Sequence, residues 1–485
     1  MTFISVARGC VPRVSSRRKG GGGICFWLWP VAIVAACHVG PDYARPNVYL
    51  PHEYRFAPDD SLRTESIADE KWTEVFEDDE LQKLIRRALE ANYDVLIAAA
   101  RIDQARAQLT ITRADQYPTV TAEATATRER IPAQKQGSFS LPPSIVNTYR
   151  LVVQATWEVD FWGKFRSATE ADRARLLAAR WAQRAVLVSV VSQVAQSYFT
   201  LRELDLELEI GRRTLAARQE SLQLTRTQEA GGIVSLVDVR QAEQLVYTAE
   251  SVITDTERLI AQQENAISIL LGQNPGPIAR GLPLVDQPAP PEIPAGLPST
   301  LLARRPDVRE AEMNLVAANA EIGVAKAALF PQVTLSGDAG LQSNALSKLI
   351  SGPATLWSIS GDVLQQVFNA GKLKAQVRLT EAQKQELVVT YQQTIRQALR
   401  EVSDALIGHR KNYELRQQLT RLVAATSDAV RLSDIRYRGG VTSYLEVLTS
   451  QTSYLNAQLD LAQARLAEQL SIVQLYAALG GGWDP

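Results

Sequence analysis

The most reactive side chains in this 485-residue chain are three cysteines and three histidines, and position decides what they can do. Cys10, Cys25 and Cys37 all lie within the first 37 residues, so beyond them no disulfide, thiol nucleophile or thiolate metal site can form. His38, His52 and His409 are too scattered for a ligand cluster, and none stands in a recognisable general-base motif. The run Gly20 to Gly23 lies inside an N-terminal leader and is no phosphate loop. What remains are one thiol at the end of the leader, Cys37, and the non-covalent chemistry of carboxylates and cations. Asp238, Arg240 and Glu446, each a few residues past a Gly-Gly pair, are the candidates for the latter. No catalysis, cofactor or metal site is expected.

The leader is legible on its own. Five basic residues (Arg8, Arg13, Arg17, Arg18 and Lys19) and no acid occupy the first 36 positions. Ile24 to Ala36 is then an apolar run of about 13 residues, too short to span a bilayer as a helix and suited to a secretory signal. It ends Val34-Ala35-Ala36-Cys37, which resembles a bacterial lipoprotein signal. That resemblance implies a mature chain beginning at Cys37 and carrying acyl chains. The alternative is an ordinary secretory signal with an incidental cysteine; the lack of any later cysteine argues against it. His38 follows where an aspartate would favour the inner membrane, so outer-membrane sorting is expected, with two or more acyl chains giving stable anchorage in lipid. Taking those five from the 52 basic residues leaves 47 against 53 acidic ones, net −6, which is no footprint for nucleic acid.

Stepping outward, the elements carrying the charged candidates are very long. Leu187, Val194, Leu201, Leu208, Leu215 and Leu222 stand seven apart between Arg166 and Ala230, with no proline. A sustained seven-residue repeat predicts one helix supercoiled against neighbours. At 1.5 Å per residue it would be roughly 95 Å long, beyond any compact core. The chain is also duplicated. At an offset of 208 residues, Gly231-Gly232-Ile233-Val234-Ser235 meets Gly439-Gly440-Val441-Thr442-Ser443, Asp238-Val239 meets Glu446-Val447, and Leu271-Gly272 meets Leu479-Gly480. Upstream, Tyr117-Pro118-Thr119-Val120 matches Phe330-Pro331-Gln332-Val333 at an offset of 213.

This divides the chain into a leader (1–36), an extended anchored arm (37–80), a first repeat (81–274), a proline-rich strap (275–302) and a second repeat (303–482). The first repeat reads as a helix from Leu81 to about Gln116, two strands, the long helix, a Gly231-Gly232 turn and a helix from Leu236 to Leu271. The second reads as a helix over 303–329, two strands, a long helix over 372–438, the Gly439-Gly440 turn and a last helix to Leu479. The nine prolines between 275 and 306 predict a connecting strap with no folded element of its own.

The strands alternate. Tyr149, Leu151, Val153, Ala155, Trp157, Val159 and Phe161 share one face, with Arg150, Val152, Gln154, Thr156, Glu158 and Asp160 on the other. Val120, Ala122, Ala124 and Ala126 oppose Thr119, Thr121, Glu123, Thr125 and Thr127. Val333, Leu335, Ala339 and Leu341 oppose Thr334, Ser336, Asp338 and Gln342, and Trp357, Ile359 and Val363 oppose Ser358, Ser360 and Asp362. A soluble half-buried sheet would alternate too. Strands of about 10–14 residues, with Tyr117, Phe161, Trp162, Phe330 and Phe368 gathered at one end, favour tilted membrane strands with an aromatic girdle. Four such strands cannot close a barrel, and open edges are not tolerated in lipid, so several chains must share one.

These features resemble an outer membrane factor, the TolC-like channel of tripartite efflux systems, in its lipoprotein (NodT-type) branch. The marks are Cys37 with Val39-Gly40-Pro41-Asp42-Tyr43, then Ser197-Tyr198-Phe199, Ser235 to Glu243, and above all Arg304-Arg305-Pro306-Asp307-Val308-Arg309 with Ala311-Glu312. The resemblance covers essentially the whole mature chain. It implies a mainly α fold with a transmembrane β portion, as a homotrimer with four strands per protomer in a twelve-stranded outer-membrane barrel above a long helical periplasmic tunnel. It further implies a passive exit duct for drugs or small solutes, working with a periplasmic adaptor and an inner-membrane pump of the RND type.

On that reading the two Gly-Gly turns form the periplasmic tip. Gly231, Gly232, Ser235, Gly439, Gly440 and Ser443 would dock the adaptor, although two ordinary helix-ending turns would look the same. Leu445 aligns with an apolar constriction of related channels. Thr449 stands where those channels often carry aspartate, so Glu446 would have to supply any carboxylate ring. Asp238 and Arg240 are candidates for ion pairs that hold the tip closed; exposed pairs are worth under about 1 kcal/mol each, so only a threefold network could latch it. Two rival functions share these elements: a channel for type I protein secretion, and a lipid-anchored coiled-coil scaffold without a pore.

Overall fold

The computed structural model describes residues 39–56, 71–136, 139–288 and 298–481. The leader and Cys37 lie outside them. The order is α1 (Trp72–Val75), α2 (Asp79–Ala91), α3 (Tyr93–Ala114), β1 (Thr119–Ile131), the short hairpin β2 (Gln134–Gln136) and β3 (Phe139–Leu141), β4 (Ser144–Glu158), α4 (Lys164–Ala230) and α5 (Leu236–Leu270). Then follow α6 (Pro298–Arg304), α7 (Pro306–Ala327), β5 (Gln332–Ser343), β6 (Thr355–Leu364), α8 (Lys372–Arg438) and α9 (Tyr444–Ala478). The duplication is exact to the residue in the helices: α4 and α8 have 67 residues each, α5 and α9 have 35, and α3 and α7 have 22. A 67-residue helix is roughly 100 Å long.

Helix α4 is the spine. It packs against α2, α3, α5, α7 and α9, and α8 packs against α6, α7 and α9. Across the wall the order is therefore α3–α4–α7–α8 near the sheet and α5–α4–α9–α8 towards the tip. The heptad stripe carries this packing, with Val194 and Leu201 fully buried and Leu222 nearly so. The largest core lies at the waist, where the arm, α2, α6 and the ends of α7 and α9 surround α4 and α8. Phe76 packs edge-on to Tyr476 at 6.1 Å and against Phe199 at 6.4 Å.

The sheet order is β1-β4-β5-β6, all antiparallel. Its register aligns the faces expected from alternation. The row Ala122–Val153–Ala339–Trp357 is apolar, and the adjacent row Thr121–Gln154–Asp338–Ser358 is polar. In the single chain Val120, Val153, Trp357, Ile359 and Val363 are exposed on the apolar face. At the helix-proximal end Trp162 stacks on Phe330 at 4.7 Å and donates to the Pro331 carbonyl at 2.8 Å, as Trp157 donates to Gln116 at 3.1 Å.

Strand β5 needs Gly340. A Cβ there would stand 2.1 Å from the Leu151 carbonyl oxygen and 2.7 Å from the Val152 Cα, both backbone atoms of β4. We expect Gly340→Ala to force β4 and β5 apart, at a cost of about 2–3 kcal/mol. The check is the fraction of protein recovered as a membrane-inserted oligomer, which should fall well below that of the wild type.

Three expectations change. The helix from Leu81 to Gln116 is two helices, because Asn92 turns out of the α region and caps α3, accepting from Asp94 N at 2.8 Å. The strap is not free of structure: Pro298–Arg304 is helical, and Ile278 and Leu301 are buried in the waist core. Proline is tolerated there because it begins α6 rather than interrupting it. The arm contains α1 and the start of α2, and Trp72 and Phe76 bury in the same core. Its extended part descends along α7. Gly40 lies beside Gly323, the Asn319 amide donates to the Pro41 carbonyl at 2.7 Å, and Arg45 grips Glu312 through Nε and Nη2 at 2.6 and 2.7 Å.

Candidate functional site

Each copy ends its long helix the same way. The second glycine of each pair takes positive φ, +71° at Gly232 and +70° at Gly440. Ile233 N then donates back to the Gln228 carbonyl and Gly232 N to Glu229, and Val441 N and Gly440 N do the same with Arg436 and Tyr437. These bonds satisfy carbonyls that a helix end leaves open, and a glycine at that position avoids left-handed strain. Both turns lie at the end of the molecule remote from the sheet.

Beyond the turns the copies differ. In the first, Ser235 and Asp238 form a reciprocal cap: Ser235 N donates to the Asp238 carboxylate at 2.9 Å and Asp238 N to Ser235 Oγ at 3.4 Å. In the second, Ser443 makes no such side-chain bond. Glu446 instead accepts from Thr442 Oγ1 at 2.5 Å and pairs with Arg436 at 3.2 Å. Leu445 is exposed, and Thr449 donates to the Leu445 carbonyl of its own helix at 2.8 Å.

Asp238 is engaged by Ser235, and Arg240 pairs with Glu243 within α5 at 2.6 Å. Glu243 also takes Arg226 of α4 at 2.9 Å, and hydrogen bonds from Arg226 and Arg240 hold its pKa below the usual carboxylate value. This triad ties α4 to α5 within one copy. Contact between the copies runs through hydrogen bonds and apolar packing around two tyrosines of the second copy. Tyr437 and Tyr444 meet edge-on at 5.3 Å, the Tyr444 hydroxyl is 3.2 Å from Ser221 Oγ, and Tyr437 donates to Gln228 at 3.2 Å. Burial raises the pKa of both hydroxyls. Tyr444 packs with Leu222, Val239, Ala242, Val246 and Val447. Sequence reasoning missed these tyrosines. Their signal lay in departures from the repeat, since the first copy has Glu229 and Leu236 at the equivalent positions.

A second constellation sits at the waist. Asn92 and Arg305 are equivalent positions, each the N-cap of its membrane-side helix. Asn92 Nδ2 donates to the last carbonyl of α5, Leu270, at 2.9 Å, and Arg305 Nη1 donates to Ala478, the last of α9, at 3.0 Å. Each bond splices two helices end to end beside a continuous 67-residue partner. Arg305 also grips Asp307 through Nε and Nη2 at 2.9 and 2.6 Å and Glu401 of α8 at 2.7 Å. The Arg-Pro-Asp run is thus a structural joint.

No pairing of nucleophile with base occurs at either place; both constellations hold long helices in register. The sheet, the waist and the tip make an elongated wall segment with one end shaped for lipid. A model of the family described as outer membrane efflux protein matches residues 84–273 and 297–481, one span for each copy. The chain is 38% identical over 459 residues to the probable efflux pump outer membrane protein TtgC of Pseudomonas putida, covering 93% of this chain and 94% of that one. It is 32% identical over 463 residues to the probable outer membrane lipoprotein SilC of Salmonella typhimurium, covering 93% and 97%. The crystal structure of the open state of the MtrE outer membrane channel of Neisseria gonorrhoeae superposes with a TM-score of 0.82 at 29% identity, covering 92% of this chain and 99% of that one. Fold, duplication and matched span agree, and the chain belongs to the outer membrane efflux protein family, as a transport duct of the outer membrane rather than a catalyst.

Proposed function

We propose that three copies of this chain form the exit duct of a tripartite efflux pump, carrying drugs or other small solutes across the periplasm and outer membrane. The observation that carries this reading is the coincidence of two sets of unpaired edges. Strands β1 and β6 are the free edges of the sheet, and β1 continues α3 while β6 leads into α8. Those flanks also expose apolar side chains, Tyr93, Leu96 and Ile97 on α3 and Leu379 and Val389 on α8. A head-to-tail ring pairs β6 and α8 of one copy with β1 and α3 of the next, closing the barrel and the tunnel together. Three copies of four strands make twelve.

The arm supports a lipid anchor at Cys37. Gly40 lies beside Gly323, about one helical turn before α7 gives way to the sheet. The turns at Gly231-Gly232 and Gly439-Gly440, with Ser235 and Ser443, are the docking points for a periplasmic adaptor that connects to an inner-membrane pump. Asp238, Arg240, Glu446 and Thr449 line the approach to a constriction at Leu445.

The purified protein is expected to run as a heat-resistant trimer in detergent and to conduct ions in planar bilayers. A monomer that leaves membranes at high salt would refute the channel and favour the scaffold. Passage of a folded or unfolded polypeptide, with no change in susceptibility to small compounds on gene deletion, would favour protein secretion. Leu445→Ala should raise single-channel conductance by about twofold or more, because it removes an apolar ring that resists wetting. An unchanged conductance would place the constriction elsewhere.

A further inference from the structure

Between the waist and the tip, Arg218 of α4 is 2% exposed. Its Nη1 donates to the Leu245 carbonyl of α5 at 2.7 Å. Its Nε and Nη2 are buried and have no partner among the described residues. These two nitrogens form one edge of the guanidinium fork. Elsewhere in the chain that same edge grips a carboxylate, Glu312 against Arg45 and Asp307 against Arg305. Burial pulls the Arg218 pKa below the usual arginine value, opposed by the nearby Tyr444 hydroxyl. A buried cation with two open donors is unfavourable unless something accepts from them.

Arg218 lines a cavity of about 190 Å³ between α4, α8 and α9, with no aspartate or glutamate in its wall. That is several times the roughly 30 Å³ that one water occupies. Across it, the Gln451 side-chain oxygen is also buried without a partner. The Tyr454 hydroxyl accepts from Gln458 at 3.1 Å, which leaves its own proton available to donate. Arg213, 61% exposed and 3.8 Å from Glu209, adds a second cation at the rim. One cavity thus brings together two unpaired donors on a single guanidinium and one unpaired acceptor.

We propose that this cavity binds a small oxyanion carrying its own hydrogen-bond donor, hydrogen phosphate being the simplest. Two of its oxygens lie along the Nε–Nη2 edge of Arg218, and its hydroxyl donates to Gln451, so the ion bridges α4 and α9. The pairing is the bidentate geometry for which arginine is suited.

Equilibrium dialysis of the full detergent-solubilised chain against labelled phosphate, at constant ionic strength with chloride as background, tests this. One phosphate per chain is expected. Sulfate, which has the same shape and no proton at neutral pH, should compete about tenfold less well. Arg218→Gln and Gln451→Glu should each weaken binding about tenfold or more. The second variant is the stronger test if the first fails to fold. The equivalent position in α5 of the first copy is Glu243, so the repeat accepts a glutamate there, and at position 451 its negative charge would repel the bound anion. Absence of saturable binding, or binding undiminished by Gln451→Glu, overturns the site. Equal competition by sulfate overturns the class of ligand assigned to it.

Discussion

Replacing Arg305 by methionine is expected to cost about 3 kcal/mol and to lower the thermal midpoint by roughly 3 °C. The side chain is 9% exposed and serves three partners at once: Asp307, Glu401 of α8 and the Ala478 carbonyl that ends α9. Methionine keeps much of the volume and removes every donor. Two carboxylates then lose their cation and a buried carbonyl loses its partner. Because Asp307 and Glu401 are each more than a third exposed, water recovers part of the loss, and the estimate lies at the lower end for a broken buried pair. Glu401→Gln should cost only about 1 kcal/mol, since Asp307 still neutralises the guanidinium. Thermal unfolding of the two variants in one detergent separates them. Equal losses would show that the joint rests on Glu401 and not on the splice to α9.

The second large effect belongs to Asp78, which is 2% exposed. One oxygen caps α2, accepting from Glu80 N at 2.9 Å and Leu81 N at 3.2 Å. The other accepts from the Tyr198 hydroxyl at 2.8 Å, Leu282 N at 2.9 Å and the Gln287 amide at 2.9 Å. It thus binds the connecting strap to α4. Gly281 is required opposite it, because a Cβ would stand 2.2 Å from the carboxylate. Asp78→Ala should cost about 3–4 kcal/mol, combining a lost cap with unpaired buried donors. Proteolysis should then cut the strap around Leu282 to Gln287, where the wild type resists.

The pH dependence follows from the same contacts. Burial acts to raise the Asp78 pKa, but hydrogen bonds from Gln287, Tyr198, Leu81 and Leu282 outweigh it and hold the pKa below its ordinary value. A depressed carboxyl pKa contributes stability that is fully present above the unfolded value of about 3.9 and is lost as pH falls through the folded one. The gap between wild type and Asp78→Ala should therefore be constant from pH 7 to about 5 and narrow below about 4. A gap that widened in acid would mean the group is held neutral.

Much of this protein is local in origin and so could be read from residue order. The seven-residue stripe from Leu187 to Leu222 requires a long helix because one face of a helix recurs at that spacing. The alternation in the four strands assigns their faces, and the Gly-Gly pairs end the helices, because both depend on near neighbours in the chain. The repeat offset predicts equal helices, and they are equal to the residue. The proposal that several copies share one barrel rests on the same alternation, since four strands cannot close in lipid.

What only the tertiary structure decided are contacts between residues far apart in sequence. Asn92 passes within the expected Leu81–Gln116 helix and Arg305 belongs to a motif; their shared role in splicing helix ends appears once α5 and α9 arrive beside them. The strap reads as proline-rich connection, yet Asp78 and Tyr198 organise it from more than 80 residues away. At the tip, Asp238 and Arg240 bond within their own copy, while Tyr437 and Tyr444 of the second copy reach Gln228 and Ser221 of the first. Charge at a helix end can be satisfied by several neighbours, and spacing alone does not say which. Periodicity sets which side of an element faces inward; the partner it meets there depends on how the whole chain closes.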